Sequence, residues 1–395
     1  MNAPARGPLL PWFDATDEIR HLRDRGWALV SLDRDKCAAL RASFQVDLRA
    51  TGFTGDLDSK ETKAAPFPLG MWYARTVRSS LACVLSLLPP PSRGIDVNVL
   101  PRTETAMDAR ILMMEKMGEL MGCDSLVSSF DGVMISRAGN RPANTPYFDP
   151  ARPRVPTGWD KEKKSWTGGH IDQKADLSDT ARSFQAFLCL CDADLPTLST
   201  CLLVPREGWS FQGITDAMRA QFPDFFASVQ GDSEGYKMPP YIQDWLVDKG
   251  MAEAVKPRLK VGDMLIWSSS MIHGAGAARA PRGTKGNVRL GIISGFCPAE
   301  LLTRAAQVVR YKCVATDLRC TGQQVFTPTP HLVWAPAIRY SGVDGAPAAY
   351  GKLRDERLDR KKTKRSLLDD TEPERADYRA KVARLLGPRP EELAT

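Results

Sequence analysis

The chain reads as a mainly β protein, a sandwich or barrel with helices added at both ends, and three observations lead there. Between about residues 124 and 297, short runs rich in β-branched, aromatic or alternating apolar residues follow one another, separated by Gly, Pro, Asp and Lys clusters. The stretch before them carries the apolar period of helices. The stretch after them is strongly charged and helix-permissive.

In chain order, DATDEIRHLRDRG is a helix with Asp14 or Thr16 as its cap and Gly26 as its stop. It leads into the strand WALVSL and the helix DKCAALRASFQVDLRATG. Two further helices are expected around Thr76 to Leu88 and Thr103 to Gly122, the second with a core face at Ile111, Met114, Leu120 and Met121. The β region comprises SLVSSFDGVMIS, KSWTGGHID, SFQAFLCLCD, STCLLVP, PRLKV, DMLIWSSSMIHG and NVRLGIISGFC. An insertion at about 210–255 interrupts it, helical in GITDAMRAQFPDFFASVQ and again within Tyr236 to Ala254. Helix resumes in AELLTRAAQVVRYKC, and the charged end reads as solvated helices on the exterior, with a basic run at Arg360 to Arg365. The expected organisation is therefore a mainly helical part over 1–123, a catalytic β core over 124–297 and a helical extension over 298–395.

Composition removes several classes. With 43% apolar and 26% charged residues over 395 positions, the chain can fill a sizeable core and is not wholly disordered. No stretch approaches the roughly 18 to 20 apolar residues that cross a bilayer, and the start lacks a secretory pattern. Nine cysteines, an odd number with no CxxC pair, fit a reducing compartment, so the expected location is cytoplasmic. The net charge of +7 permits an anionic partner without requiring one, and no interleaving of aromatic and basic residues marks a nucleic-acid groove.

Two of the four histidines carry the chemistry. His170 stands in WTGGHIDQ, and Asp172 follows at the alternate strand position, so both side chains share a face and can reach one ion. His273 follows about a hundred residues later in GDMLIWSSSMIHGAG, with Gly274 and Gly276 allowing close approach. Two imidazoles and one carboxylate hold one face of an octahedral Fe(II) and leave the other open. In NVRLGII, Arg289 alternates into the interior, where a buried guanidinium needs an anion, and a dicarboxylate cosubstrate would supply one. Arg282, in the basic loop after His273, is the fallback.

With these residues in view, the region 124–297 resembles the non-haem Fe(II)/2-oxoglutarate dioxygenases, in particular their phytanoyl-CoA dioxygenase-like branch. The resemblance is carried by GHID, STCLLVP, GDMLIW before HGAG, and NVRLGII. It implies a double-stranded β-helix, with His170, Asp172 and His273 as iron ligands and Arg289 clamping the far carboxylate of 2-oxoglutarate. It also implies O2 as co-reactant, and succinate and CO2 as products beside a hydroxylated small molecule. Related halogenases replace the carboxylate ligand with a small residue, so Asp172 favours hydroxylation, with desaturation or cyclisation as variants. One departure is PREG at Pro205 to Gly208, where the family often has Pro-Gly-Ser-His.

Trp166, Gln173, Tyr241 and Trp267 are the expected pocket residues. Two other readings stand beside the small-molecule one: the same core acting on a nucleobase or protein side chain, and a cofactor-free β-barrel whose histidines are structural. Neither the substrate nor the oligomeric state follows from the residues.

Overall fold

The first helix, α1 (Asp17–Arg25), opens with Asp17 and Glu18 and closes with Arg23 and Arg25, charges that complement its dipole. A computed structural model of the protein describes residues 17–50, 103–130, 133–137, 166–172, 184–192, 200–229, 236–255, 257–276, 288–301, 304, 307, 308, 310, 311 and 376–393. Strand β1 (Trp27–Ser31) and helix α2 (Arg34–Ala50) follow, and the carboxylate of Asp33 caps α2 by accepting from the amides of Asp35 and Lys36. Helix α3 (Glu104–Met121) starts at Thr103, whose hydroxyl accepts from the amide of Ala106, and stops at Gly122. Of the expected stripe Met114, Leu120 and Met121 are buried and Ile111 only partly, while Met107, Met113, Met117 and Arg110 are fully buried. The helix expected around Thr76 to Leu88 and the basic run at Arg360 to Arg365 lie outside the described residues.

The remaining described elements are β2 (Leu126–Ser128), β3 (Val133–Arg137), β4 (Trp166–Ile171), β5 (Phe184–Cys189), β6 (Thr200–Pro205), α4 (Phe211–Gln221), α5 (Pro223–Ser228), β7 (Tyr236–Lys237), α6 (Pro240–Asp248), β8 (Ala252–Val255), β9 (Asp263–Ser268), β10 (His273–Gly276), β11 (Val288–Pro298) and α7 (Ala376–Leu386). They build two antiparallel sheets. The larger runs β1-β9-β5-β11-β2, with β3 also pairing β11, and the smaller runs β7-β4-β10-β6-β8. The chain passes from β3 in the larger sheet to β4 in the smaller, back to β5, across to β6 and β8, and again through β9, β10 and β11 in alternation. β1 extends the larger sheet through β9, so the N-terminal part contributes a core strand as well as helices.

Strand alternation gives the larger sheet two different faces. Phe184, Ala186, Leu188, Met264, Ile266, Leu290 and Ile292 join the cluster that contains the buried methionines of α3. Phe187, Cys189, Leu265, Trp267 and Ile293 join a second cluster with Leu202, Val204 and Ile272 of the smaller-sheet side. Between these layers Gly291 lies so close to β5 that a Cβ would stand 2.2 Å from Phe187 Cζ and 2.4 Å from the carbonyl oxygen of Leu188. Only glycine fits there. The insertion helices α4 and α6 cover the smaller sheet, burying Phe211, Ile214, Met218, Ile242 and Leu246.

Two details differ from the sequence reading. The strand expected at PRLKV is displaced to Ala252–Val255, which pairs β6; Pro257 has no amide to offer a ladder. The charged C-terminal helix is also more than an exterior element, because Val382, Leu385 and Leu386 of α7 are buried in the main core. Each such side chain contributes on the order of 1.5–3 kcal/mol. The end of α7 is held by side chains: Arg310 Nη2 donates to the carbonyl of Ser128 at 2.8 Å and of Leu385 at 3.3 Å, Gln307 Nε2 to that of Leu386 at 2.8 Å, and the Tyr311 hydroxyl to that of Gly387 at 3.0 Å. The bonds to Leu385, Leu386 and Gly387 satisfy carbonyls that a helix end leaves open, and the bond to Ser128 ties the same guanidinium to β2. Gly387 itself has φ +76°, and a Cβ there would meet Val127 at 2.4 Å. No helix among the described residues is long and apolar enough to cross a membrane.

Candidate metal centre

His170 and His273 come together because β4 and β10 are antiparallel neighbours with these two residues directly opposite. Opposed residues share a face. Their rings are accordingly side by side, with centroids 4.3 Å apart. The register shifts by one residue between His273 and Ala275, so the bulge falls in β4 at Gly168 and Gly169 opposite Gly274, a device that re-aims neighbouring side chains. Asp172 follows just past the end of β4, on the same face as His170, and its amide donates to the carbonyl of Ser269 at 3.1 Å.

The turn from β9 to β10 fixes the second histidine. The sequence reads DMLIWSSSMIHG as one apolar run, but the chain leaves the larger sheet after Ser268, turns through Ser269 to Ile272 and enters the smaller sheet at His273. The Met271 amide closes the turn on the Ser268 carbonyl at 2.9 Å, and the Met271 carbonyl then lies 2.9 Å from His273 Nδ1. A carbonyl can only accept, so Nδ1 carries a proton, and in the neutral ring Nε2 holds the lone pair. That is the tautomer that ligates a metal through Nε2.

Three donors converge here. Nε2 of His273 is 3.3 Å from Asp172 Oδ2, Nε2 of His170 is 3.6 Å from Asp172 Oδ1, and one ligand atom from each of the three residues falls within 4.8 Å of the others. An octahedral ion with bonds of about 2.1 Å sets neighbouring donors about 3.0 Å apart, close to these spacings. His273 Nε2 is buried with no hydrogen-bond partner among the described residues. A ring lone pair facing a carboxylate at 3.3 Å brings two electron-rich groups into contact, an arrangement that a cation held by both residues resolves. The residues therefore fit a divalent ion of the Fe(II) type, held by two imidazoles and a carboxylate. Exposure is uneven: the side chain of His273 is 3% exposed and that of His170 19%, so access is from the His170 side. There the edge strand β7 places Lys237, which is exposed, directly opposite His170.

Behind the ligands runs a buried polar chain that the sequence reading missed. Trp267 Nε1 donates to Gln185 Oε1 at 2.6 Å, and Gln185 Nε2 donates to Asp172 Oδ2 at 2.9 Å. Gln185 is 5% exposed and Trp267 1%. The indole also leans on the His273 ring, centroids 5.3 Å apart. One signal was available: Gln185 is a polar residue inside the apolar strand FQAFLC.

The other expected site residues lie on several elements. Trp267 stands behind the ligands as described. Trp166 opens β4 in register with Gly276, and Arg289 lies on β11 opposite Ser136, two positions from Gly291. Tyr241 is on α6, 55% exposed, with its ring edge-on to Phe222. Gln173 and Arg282 lie outside the described residues. On the outer side of the smaller sheet, burial pushes the Tyr236 phenol up to about 12, with Arg219 opposing, and its ring packs against Phe225 and Phe226.

No family model matches the chain, and no curated protein matches it. Solved structures do. Among them are the non-heme alpha-ketoglutarate-dependent epimerase SnoN from nogalamycin biosynthesis, at 14% identity over 71% of this chain and 81% of that one, with a TM-score of 0.32. The non-heme alpha-ketoglutarate-dependent carbocyclase SnoK from nogalamycin biosynthesis is 12% identical over 74% of this chain and 88% of that one, with a TM-score of 0.35. HygX from Streptomyces hygroscopicus with nickel and 2-oxoglutarate bound is 12% identical over 72% of this chain and 86% of that one, with a TM-score of 0.33.

Proposed function

We propose that the protein is an Fe(II)- and 2-oxoglutarate-dependent oxygenase that hydroxylates a C–H bond of a small organic molecule. The observation that carries this is the cluster of His170, Asp172 and His273, which sets two imidazoles against one carboxylate with His273 and Asp172 buried and His170 partly exposed. The alternating passage of β3 to β11 between the sheets supports a double-stranded β-helix, and the phytanoyl-CoA dioxygenase-like branch rests on the sequence motifs. In this reading 124–297 is the catalytic unit, and the parts over 1–123 and 298–395 brace it.

Bound Fe(II) and 2-oxoglutarate supply the oxidising chemistry, consuming O2 and releasing succinate and CO2. The chain's residues set where it happens. His170, Asp172 and His273 would hold the ion, and ligands would reach it from the more exposed His170 side. Position 289 shares its strand face with 291 and 293, the face toward the smaller sheet, so Arg289 is the residue proposed to hold the far carboxylate of the cosubstrate. Trp267 and the wall formed by Phe187 and Ile293 keep that side dry.

Succinate release from 2-oxoglutarate, dependent on added Fe(II), is the expected activity, and Asp172→Ala is expected to abolish it together with metal uptake. An iron-loaded protein that neither binds 2-oxoglutarate nor changes in any property on that substitution refutes the assignment. Arg289→Ala is expected to raise the apparent KM for 2-oxoglutarate at least tenfold, the loss of one charge-assisted bidentate pair of about 1.5–3 kcal/mol. An unchanged KM moves the role to Arg282.

A further inference from the structure

We propose that Gln185 is a positioning residue that keeps the Asp172 carboxylate a one-oxygen ligand, and that Trp267 sets the direction in which it acts. The inference rests on the metal-site reading above and concerns residues that reading does not need. The amide of Gln185 bridges two sheets: its oxygen accepts from Trp267 Nε1 at 2.6 Å on β9, and its nitrogen donates to Asp172 Oδ2 at 2.9 Å beyond β4.

The orientation is dictated by chemistry. An indole nitrogen can donate and never accept, so the atom facing Trp267 has to be Oε1. The amide nitrogen is thereby turned to Asp172, where a carboxylate wants a donor. Were the amide reversed, an N–H would confront an N–H on one side and a carbonyl oxygen a carboxylate on the other. All three residues are at least nine-tenths buried, so water cannot relieve either clash.

A carboxylate has two oxygens, and a metal can take one or both. The hydrogen bond from Gln185 engages one lone pair of Oδ2 and holds that oxygen toward β5, which presents Oδ1, the oxygen on the His170 side, to the ion. A second bound oxygen would use up one of the positions that a facial triad leaves open. Gln185 therefore acts through Asp172, by fixing its rotation and the number of oxygens it presents. Trp267 acts through Gln185 and, by leaning on His273, also limits the second imidazole.

The test uses the full-length protein freed of metal, with Co(II) as the probe, read by visible absorption and by calorimetric titration. Gln185→Met keeps the volume and removes both polar ends. It is expected to weaken Co(II) binding about 10- to 100-fold, the usual effect of losing an outer partner, to change the Co(II) absorption bands, and to weaken 2-oxoglutarate binding to the Co(II) protein. Gln185→Met with Trp267→Phe removes both partners of the buried bond, so its thermal midpoint should recover toward the wild type while the metal defect persists. Metal affinity and absorption unchanged within twofold in Gln185→Met, or a defect that recovers with the thermal midpoint in the double variant, shows a packing role and overturns the proposal. A wild-type protein that takes up no Co(II) overturns the metal-site reading as well, which separates the two failures.

Discussion

Gly291→Ala puts a single methyl group into the tightest contact of the larger sheet. A Cβ built there meets Phe187 Cζ at 2.2 Å, Cε2 at 2.3 Å and the Leu188 carbonyl oxygen at 2.4 Å, where ordinary contacts begin near 3.4 Å. The wall must therefore retreat by about 1 Å. Phe187 is fully buried and can swing only into packed neighbours, while Leu188 O is backbone in the β5–β11 ladder. Overpacking costs about 1–3 kcal/mol, and opening one ladder bond adds about 1 kcal/mol, so about 3 kcal/mol is expected. In urea this moves the unfolding midpoint down by about 1 M for a slope of about 3 kcal/mol/M. Midpoints are the quantity to compare, because chains of this size need not unfold in one step. Gly250→Ala is the control: its φ is +68° and nothing lies within 4 Å, so backbone strain alone should cost about 1 kcal/mol. A Gly291→Ala midpoint equal to that of the wild type, or no lower than the control's, refutes the packing argument.

Two further outcomes follow from the electrostatics. Burial holds the Tyr236 phenol up to about 12, whereas an unfolded chain releases that proton near 10. The stabilisation linked to this group is complete below pH 10 and is lost as pH rises from 10 to about 12, by up to about 2–3 kcal/mol; in alkaline melts Tyr236→Phe should flatten that decline, and an equally steep decline excludes Tyr236 as its source. On the surface, partial burial works against the charge of Lys381, but hydrogen bonds to Asp108, Glu104 and Asp377 outweigh it and hold the ammonium above the ordinary lysine range. Because the three carboxylates are 42–73% exposed, Lys381→Ala should cost only about 1 kcal/mol and less in high salt; a salt-independent loss in thermal melts would point to packing instead.

Most strands and the candidate trio of His170, Asp172 and His273 were legible because they depend on short-range pattern. Alternation in KSWTGGHID places His170 and Asp172 on one face whatever the rest of the chain does. The meeting of His170 with His273 needs the β4–β10 register, which no local spacing encodes, yet the chemistry of two imidazoles and a carboxylate bridged that gap. Gln185 was not legible, since its meaning depends on what β9 and the end of β4 present to it across the sheets. Trp267 was expected as a pocket residue from its place near the second histidine; its indole N–H bond to Gln185 is a contact that the local sequence does not encode. The shift of one strand from PRLKV to Ala252–Val255 reflects pairing with β6, a tertiary choice that overrode the local β propensity.

The clamp of Gln307, Arg310 and Tyr311 on the end of α7 bears on the order in which the molecule assembles. Val382, Leu385 and Leu386 complete the same cluster that receives Ile19 and Leu22 from α1, so the core stays open on one side until α7 has been synthesised. Strands that depend on it emerge long before their cover, and such species expose apolar surface while they wait. Closing that side of the core on the ribosome should therefore wait for α7 and come as a cooperative step. A chain stopped before Ala376 would meet the cell's quality control with that flank uncovered, however intact its histidines.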